Sequence, residues 1–407
     1  MLRLREFFGG SANRWFVSTR GISTGLALGL ALSYTKVLGV DKRSILAFIM
    51  VSTLILTFIF ISGISLALRN NPPNQIKNEE LLGFLVLVAL AGLIVAVLNC
   101  ALLIIYSQLK TDIPGPIYLV CFIYSFLACL NLGYQDALIA IGNIKLATFF
   151  DIITILVQIF ALTFFISLNQ TSLIISVFIS FIFSYTLISF ATASIFLNSL
   201  RLESQTLLIG IKQIFLSSRK QHMFGIANGL VDRIDRFIIG LVLPIGFLAK
   251  YALLSSIISF ARFFPDAAVK LNLLRHHQGK SKQDIILKPS TLVAVVVTGI
   301  ALTISAQGFI NLVFGQVWLL PIYVGLLFVT QEILRGYYQI TAVQLIAIGG
   351  KSEMSQISML LIILTITCIT IGTIIFGLVG APAAMVLIYL TLISLVKTRI
   401  KRLSSVD

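Results

Sequence analysis

Apolar segments of twenty or more residues recur along the whole chain, and no other feature limits its folding as strongly. They run over 15–38, 44–68, 81–108, 114–134, 146–167, 173–198, 222–243, 248–269, 290–314, 319–347, 354–377 and 379–398. An apolar helix of about 20 residues crosses the ~30 Å hydrocarbon layer. Strands of a membrane β-barrel would alternate in polarity over about 10 residues, and these segments do not. The fold class expected is all-α: a polytopic membrane protein with about 12 transmembrane helices. Only 11% of the residues are charged, too few to clothe a soluble domain of this size. The start, Met1 to Gly10, lacks a compact apolar core followed by a small-residue cleavage site. No cleaved signal peptide is therefore expected, and the first helix would act as the anchor.

The formal net charge is +15, which in a soluble chain would point to nucleic acid. Its distribution points to a membrane instead. With twelve spans and the N-terminus inside, 20 of the 30 Lys and Arg residues fall at cytoplasmic ends, among them Lys145, Lys212, Arg219, Lys288, Lys351 and Lys401. Five (Lys36, Lys42, Arg43, Lys110 and Lys250) fall on the opposite side. That split obeys the positive-inside rule. It orients both termini to the cytoplasm and puts basic groups against anionic membrane lipids. No nucleic-acid partner is expected.

The chain reads as duplicated. Leu138-Ile-Ala-Ile-Gly142 recurs as Leu345-Ile-Ala-Ile-Gly349, with Gly133-Tyr134 and Gly336-Tyr337 ahead of the two copies. The pattern of Leu38–Phe48 likewise resembles that of Leu243–Leu253. An even number of helices between copies gives parallel repeats about an axis along the membrane normal. The expected domains are two six-helix lobes, 1–200 and 201–407. Between them, Leu207–Leu216 can form a short helix with Lys212 on one side and apolar residues on the other, lying in the interface.

Five arginines fall inside apolar segments: Arg20, Arg233, Arg236, Arg262 and Arg335. A charge at mid-bilayer costs at least ~2.5–3.5 kcal/mol on insertion scales. A chain that keeps five implies a polar cavity with cationic donors, suited to an anionic cargo. The densest cluster is Asp232-Arg233-Ile-Asp235-Arg236 in the seventh span. In a continuous helix Asp232 and Arg236 would pair at i,i+4. These charges either neutralise one another and pin the helix, or leave a guanidinium free to grip phosphate with its planar fork. Arg262 and Asp266 repeat the i,i+4 spacing around Pro265, a residue that kinks helices. Glu332 and Arg335 stand at i,i+3. The candidate charge network is thus Asp232, Asp235, Asp266 and Glu332. Arg20, near the cytoplasmic end of the first helix, binds cargo or snorkels to headgroups. Apart from Arg20 these groups lie in the second half, so an asymmetric cargo site is expected.

Cys100, Cys121, Cys129 and Cys368 are single thiols in apolar spans and read as packing groups. His276 and His277 lack partners in metal spacing, and no Gly-x-x-x-x-Gly-Lys-Ser/Thr phosphate loop occurs. No metal, cofactor or catalytic residue is expected.

Three pieces of the chain carry a resemblance: Leu38-Gly-Val-Asp-Lys-Arg-Ser-Ile-Leu46, Val231-Asp-Arg-Ile-Asp-Arg-Phe-Ile-Ile-Gly-Leu-Val-Leu243 and Lys250-Tyr-Ala-Leu253. Together with twelve helices in two lobes they resemble Wzx-type oligosaccharide flippases. These are members of the multidrug/oligosaccharidyl-lipid/polysaccharide exporter superfamily. The chain departs at Gly39-Val40, where a Gly-Pro turn often follows the first helix. The resemblance implies flipping of undecaprenyl-pyrophosphate-linked O-antigen or capsule units across the bacterial inner membrane. It also implies that Arg233 and Arg236 stand where the family places cationic cavity residues.

The expected function is therefore translocation of a polyprenyl-pyrophosphate-linked oligosaccharide, by a non-enzyme. A proton, a sodium ion or the membrane potential would reset the cycle. A cation-coupled multidrug exporter of the same superfamily is one alternative, but it would hold unpaired acids where this chain holds more arginines. A polysaccharide polymerase or ligase is another, but the outer connections are short. A non-transporting scaffold would not need buried charge.

Overall fold

The computed structural model describes residues 11–69, 76–168, 172–199, 204–218, 222–258, 289–347 and 350–404, and every regular element among them is helical. The first helix, α1 (Ser11–Arg69), is 59 residues long, far beyond one bilayer crossing. It is two spans fused at Gly39, whose φ of 71° and ψ of 178° break the helical path. A side chain would strain that left-handed backbone, which glycine adopts without cost. The chain continues through α2 (Asn78–Lys110), α3 (Gly115–Ala140), α4 (Ile144–Ser167), α5 (Leu173–Ser199) and α6 (Ser204–Ser218). Then follow α7 (His222–Val231), α8 (Ile234–Val242), α9 (Phe247–Ile258), α10 (Pro289–Phe314), α11 (Ile322–Ala347), α12 (Lys351–Phe376) and α13 (Gly380–Ser404). Counting α1 as two spans and α7–α8 as one broken span, the described residues contain twelve. The helix expected over 248–269 is described only as far as Ile258.

The bilayer shows in which side chains face out. On α4, Phe149, Leu156, Phe160 and Phe164 are exposed, while Ala147, Thr154, Gln158 and Ala161 on the opposite face are buried. Large apolar groups outside and small or polar ones inside is the arrangement lipid favours. Buried polar side chains then need partners, and Asn99 on α2 gathers them. Its Nδ2 donates to Thr53 Oγ1 at 2.7 Å and Ser125 Oγ at 2.8 Å. Its Oδ1 accepts from Ser52 Oγ. Three segments (the second half of α1, α2 and α3) are thereby tied together with every Asn99 group engaged.

The chain forms two compact units, Met1–Leu230 and Val231–Asp407. In the first, α6 packs on the start of α2, with Gly83 and Gly210 at the crossing and no room for a Cβ on either. In the second, α12 and α13 are joined by a 3-10 turn, Gly377–Val379, with φ 61° at Gly377. Gly380-Ala381-Pro382 forms the first turn of α13, where Pro382 gives up only an amide that has no helical partner. Gly380 lies against the backbone of Gly372, and a Cβ on it would strike that backbone. Gly380→Val is expected to lower the thermal unfolding midpoint of the detergent-purified protein by the equivalent of about 1–3 kcal/mol. An unchanged midpoint would show that the crossing relaxes freely.

One placement corrects the sequence reading. Arg43, expected in an outer loop, is 4% exposed. With no loop between the halves of α1, it folds back over the kink. Its Nε donates to Thr35 Oγ1 at 3.0 Å and its guanidinium lies 4.7 Å from the Tyr34 ring centre.

Candidate functional site

The seventh span is not continuous. Asp232 and Arg233 form a turn between α7 and α8, and Arg233, at φ −137° and ψ −16°, stands at the N-terminal boundary of α8. The run Asp-Arg-Ile-Asp-Arg explains the break in part. Aspartate competes well for local backbone donors, and Asp235 Oδ1 accepts the Arg236 backbone N–H at 2.8 Å. Discontinuous helices inside membrane proteins place unpaired backbone and charge at binding sites. The turn also removes the i,i+4 relation expected between Asp232 and Arg236.

Asp232 turns instead to α11, where its Oδ2 meets Arg335 Nη2 at 2.6 Å. Arg335 Nη1 lies 3.8 Å from Glu332 Oε2, so the i,i+3 relation expected in α11 is present as the longer of two contacts. The guanidinium thus bridges two carboxylates, and all three groups are largely buried. Asp235, 3% exposed, accepts the Tyr251 hydroxyl of α9 on Oδ2 at 2.8 Å. Tyr251 is held in place by Phe328, with ring centres 4.6 Å apart.

The three acids of this centre are therefore engaged, and the contrast falls on Arg236. Its Nε is buried and makes no hydrogen bond among the described residues. On α11, Gln331 Oε1 and Tyr338 Oη are also buried without hydrogen-bond partners among the described residues. They stand four residues before and three after Arg335, on the same helix face. The second unit thus holds a guanidinium, an amide and a phenol with unused capacity beside a carboxylate–arginine bridge. A buried polar atom without a partner is costly; an anion suits the guanidinium, and hydroxyl groups suit the amide and the phenol.

Among the sequence candidates, the structure brings together Asp232, Glu332 and Arg335, and sets Asp235 with Arg236. Arg233, half-buried, stands at the break between these groups. Arg262, Asp266, His276 and His277 lie outside the described residues. Arg20 lies in α1, its side chain outside them too. The expectation that nearly all interior charge sits in the second half needs correction. The first unit buries Arg43 and half-buries Asp151 on the inward face of α4. At the end of α1, Arg69 pairs with Asp136 of α3. A signal for Asp151 was present, as an acid two turns into an apolar span. Gln331 and Tyr338 carried none, because uncharged polar residues are common in such helices.

No protein-family model and no curated protein sequence matches the chain. Solved structures do. The lipid II flippase MurJ, in an inward closed conformation, superposes with a TM-score of 0.73 at 12% identity, over 95% of this chain and 87% of that one. An inward-facing multidrug resistance MATE family transporter of the MOP superfamily gives 0.64 at 12% identity, over 95% and 96%. The Vibrio cholerae MATE transporter VcmN, in a mutant form, gives 0.63 at 14% identity, over 96% and 95%. The chain thus shares its fold with MATE transporters and with the flippase MurJ.

Proposed function

We propose that this protein flips a lipid-linked oligosaccharide, carried on a polyprenyl pyrophosphate, across the bacterial inner membrane for surface-polysaccharide synthesis. The observation that carries the reading is the buried Arg236 Nε, without a hydrogen-bond partner among the described residues, next to a helix break whose carboxylates are already engaged. Pyrophosphate matches a guanidinium with spare donors. Gln331 and Tyr338 offer neutral hydrogen-bonding groups suited to sugar hydroxyls. Arg233 and Arg236 are the substrate-binding residues in this reading. Asp232, Glu332 and Arg335 set the shape of the site, and Asp235 holds Tyr251. The twelve-helix fold supports transport by alternating access, and the Wzx-type pattern around residues 38–46 and 231–253 supports an oligosaccharide cargo. The inner-membrane location, the cytoplasmic termini, the two 200-residue repeats and coupling to a proton or sodium ion belong to the same proposal.

Deleting the gene in its own host tests it. Polyprenyl-linked oligosaccharide is expected to accumulate on the cytoplasmic leaflet and surface polysaccharide to disappear, with both reversed by the wild-type gene. A deletion strain with normal polysaccharide and new sensitivity to cationic drugs would favour the second reading, a multidrug exporter. That reading draws on the MATE fold and on the intramembrane acid Asp151.

A further inference from the structure

We infer that α6 is an in-plane membrane anchor whose outer face holds an anionic phospholipid through Lys212. The two faces of this helix have different neighbours. Gly210, Ile214 and Ser218 are buried, and Gly210 rests on the backbone of Glu79 and Glu80. The opposite arc exposes Leu208, Ile209, Phe215 and Leu216, at 72%, 51%, 62% and 58%. Lys212 lies in the middle of that arc and is exposed. Sequence placed Lys212 opposite the apolar residues; the structure places it among them. The reason is that glycine, isoleucine and serine fit the close crossing with α2, which leaves the bulkier side chains outside.

The depth of this arc is set by α2. That helix opens on Asn78, Glu79 and Glu80, and its apolar run begins at Leu81. α6 crosses it at Gly83, so its axis lies at the boundary between the charged first turn and the apolar span. At that level the medium beside the protein changes from acyl chain to headgroup. Four large apolar side chains there enter the acyl region, and a lysine among them extends its stem to place the ammonium at the phosphates. Among the described residues no carboxylate pairs with Lys212, so the phosphate of an anionic lipid is the counter-charge the geometry offers. A protein partner would need an acid buried at the centre of an apolar contact. The short sequence beyond α6 adds Arg219 and Lys220, the kind of basic group that anionic leaflets attract.

Purified full-length protein in phosphatidylcholine vesicles, with and without phosphatidylglycerol, tests both parts. Tryptophan fluorescence of Phe215→Trp minus that of the parent reports the added indole alone. Brominated phosphatidylcholine is expected to quench this difference signal strongly, and aqueous iodide to leave it nearly unchanged. Native mass spectrometry is expected to show Lys212→Gln losing about fivefold in phosphatidylglycerol affinity, the size of one basic side chain near an anionic surface. Lys212→Arg should keep it. Quenching by iodide instead of bromolipid would put the arc in water and overturn the anchor. Protection from both quenchers would mean a second protein surface covers it. Equal phosphatidylglycerol binding by parent and Lys212→Gln would overturn the headgroup assignment.

Discussion

Arg236→Gln is expected to abolish export while leaving the amount of protein in the membrane unchanged. The structure separates these two effects. Asp232 is held by Arg335, and Asp235 by the Tyr251 hydroxyl and the Arg236 backbone N–H. The backbone donor survives the substitution, so no buried carboxylate loses its partner when the guanidinium goes. Folding should therefore tolerate the change. Cargo should not, because hydrogen bonds to charged groups contribute about 1.5–3 kcal/mol each, and two lost contacts would slow transport by a hundredfold or more. Arg236→Lys should retain part of the activity, since it keeps a point charge and loses the planar fork. Transport rate normalised to membrane protein, measured by immunoblot, decides it. Normal export by a well-expressed Arg233→Ala, Arg236→Ala double variant would mean that cargo is gripped elsewhere.

Much of this architecture was legible because lipid imposes a simple rule. A run of twenty apolar residues has almost no alternative to a spanning helix, and the charge asymmetry checks the count independently. The site was legible only as a set of residue types. Asp232 and Arg236 looked like a helical pair because i,i+4 spacing is read on the assumption of an unbroken helix, and the turn at 232–233 removes that assumption. The partner Asp232 does take lies 103 residues away, a tertiary choice that local spacing cannot reveal. Arg43 was missed for a related reason. Next to Gly39 and two other charged residues it resembles a loop residue, yet a single left-handed glycine makes the turn and leaves Arg43 inside. At Arg43 the apparent emptiness of the first half was thus an effect of reading charge near a glycine as solvent-exposed.

The bridge between α11 and the broken span predicts a ranked series of stability losses. Arg335→Leu should be the most damaging single change, because it removes the guanidinium that lies against both Asp232 and Glu332 in a buried setting. Removing one partner of a buried ion pair costs about 3–5 kcal/mol, enough to take a marginally stable protein out of the membrane fraction. Asp232→Leu should cost less, since Arg335 still has Glu332, 3.8 Å away, to move toward. An Asp232→Leu, Arg335→Leu double variant should recover only part of the loss, as Glu332 still lacks the guanidinium that lay 3.8 Å away. Adding Glu332→Gln should recover most of the rest. Asp232→Leu combined with Arg236→Leu should give no recovery over Asp232→Leu alone, because these two residues are not partners across the turn. Steady-state membrane levels and detergent melting midpoints of the series would test this order. Rescue of Asp232→Leu by Arg236→Leu would restore the unbroken seventh helix and overturn the site geometry, whereas the expected order would assign Arg335 to holding the site together rather than to gripping cargo.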